Sequence, residues 1–141
     1  MTRYVLDAWA IIAYLQKEEP AATWVRALFK HAKDGSDIEI HASVINLGEV
    51  YYRIAKRRSE AQASRTLALL RRLSIRTMSA TDERVYAAAR FKGRFALSYA
   101  DAFACTTAQE LDAILVTGDP EMFCLSDILR LEILTRSSRD G

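Results

Sequence analysis

The run Ala113-Ile114-Leu115-Val116-Thr117, cut off by Gly118-Asp119-Pro120, constrains this chain more than any other feature. A short aliphatic run bounded by a Gly/Pro turn reads as a buried strand. Tyr4-Val5-Leu6, ending at Asp7, repeats the pattern near the start. Between the two, strand and helix signals alternate with short connections. That alternation implies an α/β fold with a mainly parallel sheet.

Ala10 to Leu15 reads as a first helix. Pro20 fits the first turn of a second, where its missing N–H costs little. Trp24, Val25, Leu28 and Phe29 form that helix's apolar stripe, and it stops before Asp34-Gly35-Ser36. Ile38-Glu39-Ile40-His41 alternates like an exposed strand. Ser43 can cap a third helix from Val44 to about Arg57, and Ser59 a fourth from Glu60 to Leu73. Ser74 to Met78 is a short strand. Thr81 caps a fifth helix through Arg90, with Phe91-Lys92-Gly93-Arg94 readable either way. Ser98 opens a sixth helix through Leu111, and Leu131 to Thr135 is the last strand. Residues 137–141 read as a frayed tail.

At 141 residues, without repeat, linker or low-complexity tract, the chain is expected to form a single domain spanning 1–141. No apolar run approaches the ~20 residues of a membrane-spanning helix. Met1-Thr2-Arg3 runs directly into a strand, which is not the pattern of a secretion signal. The expectation is a cytoplasmic protein with no membrane partner. Cys105 and Cys124 then read as small core residues rather than a disulfide. His31 and His41 read as surface or strand-end residues, too few for a Cys/His zinc site.

The net charge of +2 conceals an asymmetry. Residues 53–94 hold twelve Lys or Arg against three acids, a net +9, and the remainder carries −7. A basic middle beside an acidic remainder suits a protein that gathers a polyanion and presents it to a cation. Solvated helix faces account for the charges equally well.

Four carboxylates hold informative positions. Asp7 and Asp119 each follow a buried strand, and open parallel sheets build sites beyond the carboxyl ends of their strands. Singly, Asp7 is explained as a helix N-cap and Asp119 as a turn residue. Glu49 shares a helical stripe with Ile45, Gly48 and Tyr52, where a carboxylate needs a metal or a partner such as Arg53. Gly48, costing ~1 kcal/mol of helix propensity, would admit a close neighbour. Asp101 completes Ser98-Tyr-Ala-Asp101, the form of a capping box, yet aligns with the core-facing Ala104, Cys105 and Ala108. Together, four uncompensated acids would repel and partly protonate. Mg²⁺ or Mn²⁺ resolves the conflict, since hard cations prefer oxygen and can activate water against a phosphodiester.

Val5-Leu6-Asp7-Ala8, Asn46-Leu-Gly-Glu49-Val50, Leu97-Ser98-Tyr99-Ala100-Asp101-Ala102 and Leu115-Val116-Thr117-Gly118-Asp119 resemble, in order and register, the four acidic motifs of PIN domains, and VapC-type toxins in particular. The resemblance implies a three-layer α/β/α sandwich around a parallel sheet of about five strands. It implies a Mg²⁺- or Mn²⁺-dependent endoribonuclease. Asp7 and Asp101 are then the first choice as direct metal ligands. Glu49 and Asp119 bind through water or complete a second metal position. Thr117 orients water or a carboxylate, and Asn46 matches a position often polar in the family. The same resemblance implies a homodimer and a cognate antitoxin, with Trp24, Phe29, Tyr51 and Tyr52 as candidate anchors or core residues. Arg53, Lys56, Arg57 and Arg58, with Arg65, Arg71 and Arg72, are the candidates for holding RNA phosphates. Trp9 departs from the pattern, standing where relatives commonly carry Ser or Thr. Its indole packs at the rim or core, over a base, or against an antitoxin helix.

Three other readings compete. A phosphoacceptor receiver-like domain would want an acidic pair after the first strand and a late-strand lysine, which this chain lacks. A non-catalytic RNA- or protein-binding PIN-like module has only Trp9 in its favour. An RNA-processing PIN nuclease without an antitoxin has the same motifs.

Overall fold

The computed structural model describes residues 1–137. The elements run β1 (Thr2–Leu6), α1 (Ala8–Leu15), α2 (Ala21–Lys33), β2 (Ile38–Ser43), α3 (Val44–Arg57), α4 (Glu60–Arg71), β3 (Ile75–Met78), α5 (Asp82–Arg94), α6 (Tyr99–Leu111), β4 (Ile114–Thr117) and β5 (Leu131–Ile133), with a 3₁₀ turn at Pro120–Leu125. The five strands form one sheet in the order β3-β2-β1-β4-β5. Every pairing is parallel. This is a doubly wound sheet whose order reverses between β1 and β4, where such folds open a crevice. A receiver-like sheet would run 2-1-3-4-5 instead.

Strand alternation divides the core. Leu6, Ile40, Ala42 and Val116 face one apolar layer with α1, α2 and parts of α3 and α4. Val5 and Leu115, their immediate neighbours in sequence, face the other, built from α5, α6 and the 3₁₀ turn. Side chains alternate across a strand, so adjacent apolar residues need cover on both faces. The helices supply it, and the three-layer α/β/α sandwich is the result.

Several boundaries differ from the sequence reading. Asp7 caps α1 directly, so that helix starts at Ala8 rather than Ala10. Pro20 stands before α2 as its cap rather than within its first turn. Residues 91–94 continue α5, because Phe91 is buried against α6 and Phe95. Ser74, with φ of 67°, turns the chain between α4 and β3, so β3 begins one residue late. β5 stops at Ile133. β2 is an interior strand rather than an exposed one: Ile40 to Ser43 are buried between β1 and β3. Its polar alternation comes from Glu39 and His41, which pair on one face (Nε2 to Oε1, 3.2 Å), with Arg3 and Arg76 also on Glu39. His41 is therefore buried, whereas His31 is exposed. Cys105 lies in the core, but Cys124 is exposed, and neither is bonded to the other. Of the tail, Ser137 donates its N–H to Glu19; residues 138–141 lie outside the described residues. No helix among those described is long and apolar enough to cross a membrane.

Candidate metal centre

The pairing of β1 with β4 sets Leu6 beside Val116. Asp7 and Thr117, the next residues, therefore leave the sheet together at the switch point. Asp7 is 1% exposed, and its Oδ1 accepts the Ala10 N–H at 2.9 Å as the cap of α1. The Thr117 side chain, also buried, hydrogen-bonds the same carboxyl. Thr117 Oγ1 further accepts the N–H of Asp119 at 3.1 Å, which ties the first and last acidic segments through one hydroxyl.

Asp119 opens the 3₁₀ turn, its Oδ1 accepting the Glu121 N–H at 3.0 Å. Asp101 sits in the first turn of α6. Ser98 is the cap, its hydroxyl accepting the Asp101 N–H at 3.1 Å, and it also bonds the Asp101 carboxyl. Three helix starts thus aim at one place, and a helix N-terminus stabilises negative charge there. Capping engages Oδ1 of Asp7 and Oδ1 of Asp119, and because a carboxylate has a second oxygen, capping and cation binding are compatible at both.

Carboxylate oxygens of Asp101, Asp119 and Glu121 lie within 4.8 Å of one another. Asp7 feels the charges of Asp101 and Asp119, and Asp101 those of Asp119, Glu49 and Glu121. Of the four sequence-selected acids, Asp101 and Asp119 meet at close range with Glu121 as the third member; Asp7 and Glu49 lie outside that triad but near enough to act on it electrostatically. Glu121 was not among the residues the sequence singled out. Its only available signal was the Asp-Pro-Glu spacing after a strand end.

Burial pushes the Asp7 carboxyl up to about 7, against hydrogen bonds from Thr117 and Ala10 and with the charges of Asp101 and Asp119 adding to the rise. Burial likewise raises Asp101 to about 6, opposed by Ser98 and helped by the neighbouring acids. The Cys105 thiol behind them is pushed to about 12, mainly by burial, so it is not a nucleophile.

Glu49 is half-buried and forms an i,i+4 ion pair with Arg53 at 2.9 Å. It serves both contenders at once, facing Asp101 electrostatically while holding an arginine. Asn46, one turn earlier and fully buried, donates Nδ2 to the Ala100 carbonyl at 3.0 Å and so joins α3 to the start of α6. Its Oδ1 has no hydrogen-bond partner among the described residues. Gly48 has no close neighbour within the chain: a Cβ there would meet nothing within 4 Å.

An all-oxygen set with two acids held partly protonated, and an orphaned amide oxygen beside them, fits a hard divalent cation. Arg53, Lys56 and Arg57 project within a quadrant of Glu49's face of α3, roughly 6–12 Å further along its axis. All three are exposed, and Arg58 terminates the helix. Arg65 pairs with Gln62, and Arg71 lines a cleft between α3 and α4. Among the aromatic candidates, Phe29 is core, Trp24 packs edge-on against Tyr4, Tyr51 lines the same cleft, and Tyr52 is exposed.

The PIN domain family model matches residues 4–128. No curated protein matches the sequence significantly. Among solved structures, the chain is similar to VapBC2 from Rickettsia felis bound to a DNA fragment from its promoter (TM-score 0.73, 17% identity, 95% of this chain and 100% of that one). It is similar to VapBC-1 from nontypeable Haemophilus influenzae (TM-score 0.68, 18% identity, 94% and 98%). It is also similar to Mycobacterium tuberculosis VapC20, described as a sarcin–ricin loop cleaving toxin (TM-score 0.67, 14% identity, 95% and 99%). At such identities the likeness is one of fold.

Proposed function

Because the chain belongs to the PIN-domain family, matched over residues 4–128, we propose that it is a Mg²⁺- or Mn²⁺-dependent endoribonuclease and the toxin of a type II toxin–antitoxin pair. The observation that supports this reading is the cluster of Asp101, Asp119 and Glu121, whose carboxylate oxygens lie within 4.8 Å of one another, with Asp7 and Glu49 near enough to act on it electrostatically. The ion would neutralise charge on the scissile phosphate and lower the pKa of a water nucleophile.

The chain's own residues divide the remaining work. Asp7 and Asp101 would hold the ion, each as the carboxylate. Asp119 and Glu49 bind through water or at a second position, with Glu121 on the outer side. Thr117 fixes the Asp7 carboxyl. Arg53, Lys56, Arg57 and Arg58 receive the RNA backbone as it leaves the crevice. The apolar cleft lined by Leu47, Tyr51, Leu67 and Leu70, about 190 Å³, supports docking of apolar side chains from the cognate antitoxin. A homodimer acting in the cytoplasm completes the reading.

The test incubates purified protein with an RNA pool and Mg²⁺ or Mn²⁺, alongside Asp7→Asn and Asp101→Asn. Cleavage that needs the ion and vanishes in both variants is expected. Cleavage that survives a chelator, or persists in both variants, overturns the assignment. Reversing charge at Arg53 and Lys56 together should weaken RNA binding and flatten its salt dependence; an unchanged slope removes them from the interface.

A further inference from the structure

Gly118 separates Thr117 from Asp119, and its backbone lies outside the left-handed region, so glycine there answers a demand for space rather than for a dihedral angle. A Cβ built on it would stand 2.2 Å from Cη2 of Trp9 and 2.4 Å from both Cζ2 and Cζ3. Near-equal distances to three adjacent ring atoms put that Cβ over the face of the indole, not beyond its edge. The ring therefore lies flat on the turn that carries Asp119 and Glu121. Trp9 itself belongs to the first turn of α1, two residues after Asp7. The Arg136 guanidinium carbon stands 5.0 Å from the indole ring centre and its Nη1 pairs with Glu18 at 2.9 Å, so the segment after β5 helps hold the indole.

We propose that Trp9 is a positioning residue for the metal centre: its indole, stacked on Gly118, fixes the Asp119–Glu121 turn against Asp7. This rests on the metal-dependent reading of the site. A hydroxyl at position 9 could offer the ion's shell one contact; an indole offers none and instead acts through the neighbouring backbone. Gly118 is then required because of Trp9, and the two positions form a single unit joining the first acidic segment to the last. The face of the ring against Gly118 is closed to a nucleobase, which sets aside stacking on that side.

The experiment measures Mn²⁺ affinity of the whole protein by titration calorimetry for wild type, Trp9→Phe, Trp9→Ser, Gly118→Ala and the Trp9→Ser/Gly118→Ala double variant, with the thermal midpoint in chelator recorded for each. Gly118→Ala should weaken Mn²⁺ binding by tenfold or more, because backbone and a packed ring cannot both yield. In the Trp9→Ser background the same methyl should cost less than about threefold, a non-additivity that reports direct contact. Affinity should fall in the order Trp, Phe, Ser at position 9, with the Ser variant about fivefold weaker than wild type. If Gly118→Ala does not fold, the position-9 series decides alone. Equal costs of Gly118→Ala in both backgrounds, or Trp9→Ser that lowers the midpoint while binding Mn²⁺ like wild type, would overturn the positioning role and leave the nuclease reading intact. A wild type that takes up no Mn²⁺ would overturn both.

Discussion

Asp7 and Asp119 leave neighbouring strands at the same end of the sheet, yet one is shut away and the other stands at the rim. Asp7 is buried at the cap of α1 beside Thr117, and burial, helped by the charges of Asp101 and Asp119, raises its carboxyl to about 7. Asp119 is half-buried, with Glu121 exposed beside it. Charge on the inner wall is costly and would be relieved by a cation, whereas the outer rim has water to solvate it. Position in the fold, rather than residue type, decides which acid would gain most from a cation.

That contrast is most directly broken by Asp7→Asn. The amide still caps α1 but cannot ligate as an anion, and RNA cleavage should fall at least about a thousandfold, a loss of roughly 4 kcal/mol of transition-state stabilisation. Activity within tenfold of wild type would mean that the inner wall is only structural.

The second effect concerns stability and has the opposite sign. The folded-state pKa of Asp7 lies above its ordinary 3.8, so the folded protein binds the proton more tightly than the unfolded chain. Its contribution is fully present below about pH 4 and is lost as pH rises through about 7. In chelator, wild type should therefore weaken by about 3 kcal/mol between pH 4 and pH 8, and Asp7→Asn should erase most of that slope. Urea unfolding at the two pH values measures it. A stability that climbs with pH would show that Asp7 is already compensated by a group within the fold.

Smaller effects sharpen the rim. Glu49→Gln breaks the pair with Arg53 but leaves Asp101 in place, and should lower cleavage about tenfold with little change in stability, since i,i+4 helix pairs contribute only ~0.3–0.5 kcal/mol. Glu121→Gln should weaken Mn²⁺ binding by about two- to threefold, as expected for an outer carboxylate acting through water. A loss as large as that of Asp7→Asn would move Glu121 from the rim to the heart of the site.

Much of this arrangement was readable from the chain. The strand ends at Asp7 and Asp119 announced themselves because an apolar run followed by a turn residue has few other meanings, and parallel α/β sheets gather such ends. Asp101 and its Ser98 cap were visible in a four-residue spacing. Elsewhere the local signal pointed the wrong way. Glu39 and His41 made an interior strand look exposed, because they satisfy each other within a partly covered face. Cys124 looked like core from its residue type alone. Glu121 had no periodicity to mark it, since 3₁₀ turns leave little trace in sequence. The stacking of Trp9 on Gly118 lay beyond any local reading: it exists only because β1 and β4 are neighbours in space.

The same adjacency governs when the chain can act. On a ribosome, α1 and its capping aspartate emerge early, but the strand that shelters them, β4, follows only after α6. A nascent product halted within α6 would carry three of the four motif acids and still lack a wall for any of them to meet against. Premature termination anywhere before β4 thus leaves a fragment without the pocket.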